Sequence, residues 1–473
     1  MRQFEGGWRR AAFWAGCLAL LLGVRLCHVD VLWVDEAYGL AAARRMLEGA
    51  ELYRGVWFDK PPLYAWIYLA WGAETGWALR VGGALFALLC CWLAARTADA
   101  MFGRREGYVA AALMAFYLSF GHPAALISLA PDLLLIPFAL GAVWAAQTGR
   151  PVAAGIIAAA GLLANAKALV LLPVILIWRP RGAARGAAGY AAAAAGVWLA
   201  AGDWLGPVWQ WGAMYSREAL FANPLAEGAA RTVNWAGFHA ALVMGAAIYF
   251  ARREKGWWRM AVWVLAGLLM VAAGMRFFPR YYFALLPALT IAAARGICLP
   301  GRWWVTAMLA VALIVPAVRF GSRHVATLRG EPRAMRDLAL FADAREAASA
   351  IRKMARPGDT LLVWGYRPEL NVLAGLPGAT RFIDSQPLTG VIADRHLTVS
   401  TPSAPELAAR FRRELAGTRP AFIADGLGKL NAALAIERYG DLGEWLEGYE
   451  QVAETEGVRI YRRRVAGTQS QTR

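Results

Sequence analysis

Asp35 and Glu36 stand just past the first apolar run of the chain, and Phe58-Asp59-Lys60-Pro61-Pro62-Leu63 follows within the same interval. A carboxylate at the edge of low-dielectric surroundings can act as general base towards an acceptor hydroxyl, with its pKa set by desolvation and neighbouring cations. A lysine close by can hold a phosphate leaving group. Each residue also has a plainer use. Asp35 suits the N-cap of the helix that follows, although with Tyr38 as third helical residue no capping box is expected. Lys60 can simply snorkel to an interface. Pro61-Pro62 forces a rigid extended turn that fixes the directions of Asp59 and Lys60.

Further along, His122 and Asp132 bracket a second polar interval, with Pro131 opening a helix. Asp132 serves either as a partner of that helix dipole or as a functional carboxylate at the membrane. Lys167, Arg276, Arg280 and Tyr281 place further cations and a phenol between apolar runs. A phosphate-bearing lipid headgroup offsets such cations, and so does ordinary anionic phospholipid. His239 reads as a packed, hydrogen-bonded residue.

The elements that carry these residues are membrane-seeking. With 59% hydrophobic residues and 22 tryptophans, the chain has more apolar surface than a soluble core of its length can hide. The formal charge of +17 falls in clusters between apolar runs instead of one stripe, so topology explains it and nucleic acid is not an expected partner. The five cysteines lie in or beside apolar spans, which leaves no disulfide framework or zinc pattern. Arg2, Arg9 and Arg10 precede an apolar run as in a secretory signal, but no convincing cleavage site follows, and a retained first helix is expected.

Spans of roughly 20 apolar residues are expected near 11–29, 77–98, 107–121, 130–147, 152–164, 166–178, 186–201, 233–251, 257–274, 281–298 and 303–318, about eleven in all. Arg9 and Arg10 put the N-terminus in the cytoplasm. The clusters Arg96/Arg104/Arg105, Arg150, Arg179/Arg181/Arg185, Arg252/Arg253/Lys255 and Arg295/Arg302 then return to that side in alternation. The alternation requires two short helices over 152–178 meeting near the outer surface, with Lys167 exoplasmic. It makes 30–76 one large exoplasmic loop. Within it, Leu40, Ala43, Met46 and Leu47 oppose Arg44, Arg45 and Glu48, which predicts a helix lying in the interface plane. The diproline opens a second short helix carrying Tyr64, Trp66, Tyr68 and Trp71. The transmembrane domain is expected over 1–320. A soluble exoplasmic α/β domain is expected over 321–473, with helix at 334–353 and strands at 360–364, 421–425 and 458–461. No internal repeat is evident.

The series Trp33-Val34-Asp35-Glu36-Ala37, Gly49, Tyr53-Arg54 and Phe58-Asp59-Lys60-Pro61-Pro62-Leu63-Tyr64 resembles the first exoplasmic loop of bacterial family 39 glycosyltransferases of the GT-C superfamily. These include lipid A aminoarabinose transferases and relatives of protein O-mannosyltransferases. Ala78-Leu79-Arg80, the Pro131-Asp132 helix start, Lys167 within an apolar hairpin and Arg280-Tyr281 leading to Pro287 extend the likeness over roughly the first 320 residues. In the tail, Val363-Trp364-Gly365-Tyr366-Arg367-Pro368-Glu369 resembles the exoplasmic domains of other bacterial members.

The resemblance implies a GT-C fold in the bacterial inner membrane and inverting transfer of a sugar from a polyprenyl-phosphate donor to a lipid, glycan or protein acceptor. It implies that Asp35, with Glu36 beside it, activates the acceptor. Lys60, Lys167, Arg280 and Tyr281 would face the donor phosphate, and Asp59, Asp132 and His122 would complete the site. Asp59 would serve metal or headgroup binding. Metal use varies in the superfamily, so a divalent ion stays open and no cofactor is assigned. Such chemistry needs the leaving phosphate neutralised and the acceptor deprotonated from the opposite face. Two other classes remain: a transporter, which should place its charges at mid-bilayer on broken, repeated helices, and a non-catalytic subunit of envelope polysaccharide assembly.

Overall fold

Apolar runs separated by arginine clusters and glycine or proline breaks fold as helices, and each run marked in the sequence is helical. A computed structural model of the chain describes residues 2–208, 223–299, 303–331, 334–391 and 405–464. Arg302, a member of the last basic cluster, lies outside them. The chain divides into two compact units: Met1–Asp30, Lys60–Gly202 and Ala219–Gly330 form the first, and Val31–Asp59, Asp203–Glu218 and Glu331–Arg473 the second.

The first unit is helical. Among the described residues, Trp77–Phe102 and Trp303–Leu328 are each long and apolar enough to cross a bilayer, while Pro131–Gln147, Pro151–Leu163, Ala166–Trp178, Trp257–Ala272 and Leu286–Cys298 are shorter apolar segments. Pro137 and Pro287 lie in the first turns of new helices, because proline has no amide to lose there. Close packing relies on small residues: a Cβ at Gly155 would meet the Gly186 carbonyl oxygen at 2.1 Å, and one at Gly296 would meet that of Gly245 at 1.8 Å. Two helix pairs therefore touch backbone to backbone.

The expected single helix over 233–251 is instead two, Pro224–Phe238 and Ala240–Arg252, bent by 92°. His239, at the break, turns its ring Nδ1 to the Trp235 carbonyl at 2.8 Å. The ring stacks on Trp235 at 4.0 Å and Tyr117 at 4.8 Å. Ring packing at this position outweighs helix continuity.

The second unit is an α/β layer structure. Strands β1 (Leu361–Trp364), β2 (Phe422–Asp425), β3 (Tyr449–Glu454) and β4 (Arg459–Arg463) form one sheet in the order β1-β2-β4-β3, with β1 and β2 parallel and the other neighbours antiparallel. Alternation along β1 serves two cores: Leu361 and Val363 join Ala344, Ala347 and Ile351 of the Arg336–Met354 helix, and Leu362 and Trp364 join Phe411 and Leu415 of the Pro405–Thr418 helix. Trp57, from the first loop, belongs to the second of these cores.

The Val34–Leu47 helix packs into this unit through the side that carries Arg44 and Arg45. Arg44 donates to the Val372 carbonyl at 2.8 Å, and Arg45 to that of Thr380 at 2.9 Å. Trp57 N–H donates to the Arg381 carbonyl at 2.9 Å. Both guanidinium groups on the polar side of this helix are thus engaged by backbone carbonyls of the same unit.

Candidate active site

In the first unit the short elements between helices gather the polar side chains. The Asp132 carboxylate, 6% exposed at the start of the Pro131–Leu134 helix, accepts from Lys167 Nζ at 2.8 Å and from Asn165 Nδ2 at 3.1 Å through one oxygen. Asn165 in turn caps the 3₁₀ turn Ala166–Val170 by accepting the Lys167 N–H at 3.0 Å. The Lys167 ammonium also lies 3.7 Å from the centre of the Tyr281 ring. An ammonium has three N–H groups. One goes to Asp132 and one to the ring face, leaving a third with no acceptor among the described residues.

Tyr281 sits in the 3₁₀ turn Pro279–Ala284, which packs on both the Pro131–Leu134 and Pro123–Ile127 helices. Half-buried Arg280 lies over the Phe278 ring at 5.6 Å. The preceding turn holds buried Arg276 between Met275 and Phe277, whose φ values of 53° and 48° are left-handed. Non-glycine residues accept that conformation at about 1–3 kcal/mol each. His122 is the N-cap residue of the Pro123–Ile127 helix. Lys60 opens the Lys60-Pro61-Pro62 turn into the Leu63–Leu69 helix, which packs on Pro131–Leu134 and whose Tyr68 hydroxyl donates to the Leu129 carbonyl at 3.3 Å.

In the second unit, Trp33 is the N-cap residue of the Val34–Leu47 helix, and Glu36 at N3 accepts the Trp33 N–H at 3.0 Å while fully buried. The plainer reading, with Asp35 as N-cap and no box, is corrected: the helix starts two residues earlier, at Val34, which brings Glu36 to N3 and gives half of a capping box. Asp35 is left half-exposed in the first turn.

Asp59, 6% exposed, and Asp384, 3% exposed, stand close to Tyr38, whose ring stacks on Phe58 at 5.0 Å and lies 5.9 Å from Tyr366. Burial first, then the carboxylates of Asp59 and Asp384, push the Tyr38 phenol well above its ordinary value. Burial and Asp59 likewise raise Tyr53. Both phenols therefore stay protonated, as donors facing acids.

Asp132, Lys167 and Tyr281 thus meet directly, with Arg280 next to Tyr281 in the chain. Asp35, Glu36 and Asp59 belong to the second unit. Sequence reasoning did not single out Asn165, Tyr38 or Asp384. Asn165 carries a usable signal, a polar amide inside an apolar run two residues before a lysine. Asp384 carries none. No group of three or more His, Cys, Asp and Glu side chains among the described residues is arranged to hold a metal ion.

Residues 59–204 match the family model described as dolichyl-phosphate-mannose-protein mannosyltransferase. This stretch contains Asp59, Lys60, His122, Asp132 and Lys167. No match was found among curated proteins. Among solved structures, the chain is similar to ArnT from Cupriavidus metallidurans bound to undecaprenyl phosphate, with TM-score 0.59, 17% identity, and 98% of each chain covered. The apo state of that protein gives TM-score 0.59 and 16% identity, covering 97% of this chain and 98% of that one. The Archaeoglobus fulgidus oligosaccharyltransferase AglB, in complex with an inhibitory peptide and a dolichol-phosphate, gives TM-score 0.49 and 11% identity, covering 97% of this chain and 75% of that one. With helices, intervening turns and tail aligned almost end to end, this chain shares the fold of ArnT, and its segment 59–204 matches the mannosyltransferase family model.

Proposed function

We propose that the protein is an integral membrane glycosyltransferase that moves a sugar from a polyprenyl-phosphate donor to an exoplasmic lipid, glycan or protein acceptor with inversion. The observation that carries this reading is the Asp132–Asn165–Lys167–Tyr281 cluster, an oriented ammonium with one N–H to spare. It lies within a fold shared with a protein solved with undecaprenyl phosphate. Lys167, with Lys60, Arg280 and Tyr281, neutralises the leaving phosphate, and Asp132 and Asn165 aim Lys167. Asp35 takes the acceptor proton, Glu36 fixes the turn from which Asp35 projects, and Asp59 and His122 complete the polar surroundings. Such preorganised charge acts where negative charge develops on the leaving oxygen.

In this reading the helical part, 1–320, crosses the bacterial inner membrane about eleven times, with the shorter apolar helices spanning as broken or tilted segments. The N-terminus is cytoplasmic and the α/β part, 321–473, exoplasmic. The alternation of basic clusters supports this orientation. Cysteine accessibility at the N-terminus and in the 405–418 helix tests it. The deciding chemical experiment is Asp35→Asn in a reconstituted transfer assay with a polyprenyl-phosphate sugar. Loss of a general base lowers transfer by roughly 10²–10⁴-fold, and undiminished transfer ends the assignment.

A further inference from the structure

The sheet of the second unit has a crevice of its own, about 300 Å³ in volume. It opens where the two parallel strands end: Gly365-Tyr366-Arg367 leave β1, and Gly426-Leu427 leave β2. In α/β sheets the region beyond the carboxyl ends of parallel strands is where ligands lie, because the chain diverges there and leaves a gap lined by loop backbone.

Arg367 forms the floor. It is 5% exposed, its Nε donates to Glu369 Oε1 at 2.5 Å, and its second terminal nitrogen donates to Asp343 Oδ2 and the Leu340 carbonyl, both at 3.1 Å. Its other terminal nitrogen has no acceptor among the described residues. The wall beside it is glycine: a Cβ at Gly457 would lie 3.3 Å from that nitrogen, and a Cβ at Gly426 would lie 2.9 Å from the Arg367 Cγ. The guanidinium is thus locked by two carboxylates, with one terminal nitrogen left beside the glycines that line the crevice. At the rim stand Arg336, Lys429, which is ion-paired to Glu454, and the exposed carboxylate of Glu456. Tyr366, Leu427 and Leu430 supply an apolar wall.

We propose that this crevice is a binding site for a sugar unit bearing a carboxylate or a phosphate. The remaining Arg367 N–H groups recognise such an anion through charge-assisted hydrogen bonds, Arg336 draws it in, and an aromatic and aliphatic wall suits the C–H face of a pyranose. The choice of a sugar over another anion rests on the glycosyltransferase reading above. The anion site itself rests only on Arg367 and its surroundings.

The test uses the full chain in nanodiscs, titrated with glucuronic acid, glucose 6-phosphate, glucose and inorganic phosphate by calorimetry, with sugar transfer measured separately. The expected result is saturable binding of one or both acidic sugars, at least tenfold tighter than glucose. Comparison of the two acids tells whether carboxylate or phosphate is the natural group. Ala339→Trp, which fills the exposed mouth, and Arg336→Glu should each weaken binding at least tenfold while thermal unfolding stays unchanged. Inorganic phosphate binding as tightly as the acidic sugars overturns the sugar part. Absence of binding, or binding indifferent to the mouth and rim variants, overturns the site. The enzyme reading then stands or falls by the transfer assay alone.

Discussion

Lys167 illustrates how one side chain can be both held and available. Its contact with Asp132 is mostly buried, and removing one partner of such a pair strands a charge at a cost of about 3–5 kcal/mol. Lys167→Ala should therefore lower both stability and transfer, the latter by roughly 10²–10³-fold. Adding Asp132→Asn to Lys167→Ala should restore the unfolding temperature and leave transfer low. Recovery of transfer in the double variant would show that Lys167 acts only through folding. Glu36 makes the opposite case. Its carboxylate accepts a backbone N–H at the helix start, a task an amide oxygen performs equally well. Glu36→Gln should keep transfer within a few-fold of wild type, whereas Glu36→Ala should lose about 1 kcal/mol of stability, read as a shift in thermal unfolding. Abolished transfer in a well-folded Glu36→Gln protein would move Glu36 into the chemistry.

At the level of elements, the turn after β2 depends on a buried acid. Asp425 accepts N–H groups from Leu427 at 3.0 Å, Gly428 at 2.7 Å and Ile436 at 3.1 Å. Burial nevertheless outweighs these bonds and raises its carboxyl to about 6. A folded-state value above the unfolded one means the fold favours the protonated acid. The associated stability is complete below about pH 4 and is lost as pH rises through about 6. Thermal unfolding of the second unit, followed by near-UV circular dichroism from pH 4 to 7, should show this decline, and Asp425→Asn should flatten it. A wild-type profile that rises across that window would contradict the assignment.

Helix placement was largely legible at this scale, because apolar length and basic punctuation are local properties. The 361–364, 422–425 and 459–463 strands lay where β-branched and aromatic residues cluster. The strand Tyr449–Glu454 was not legible, since its sequence YEQVAE is mostly polar and it sits at a sheet edge with a bulge. The break at His239 was hidden because stacking partners such as Tyr117 are remote in sequence.

Across the whole molecule, what the sequence concealed is that Val31–Asp59 belongs with the tail. Residue types announced Asp35, Asp59 and Lys60 as candidates, but contacts such as Arg44 to Val372 and Trp57 to Arg381 join positions more than 300 residues apart, and no local pattern encodes them. The same holds for Asp384 beside Tyr38. One prediction follows directly. A chain ending at Gly330 keeps every residue given a role in the transfer step, from Asp35 to Tyr281, yet leaves Arg44, Arg45 and Trp57 without their partners. Such a chain should insert in the membrane, expose residues 31–59 to limited proteolysis and lose transfer at least tenfold. Retained transfer would show that the tail is dispensable for ordering Asp35.

The split composition of the second unit also has a temporal side. Its amino-terminal strip leaves the ribosome long before the sheet that receives it, and at about 5–20 residues per second the gap is on the order of half a minute. Throughout that interval the acid-bearing strip has nothing to fold upon. The strip that carries Asp35 should therefore become ordered only after the strands that complete its unit have been made, which protease accessibility of stalled nascent chains would read.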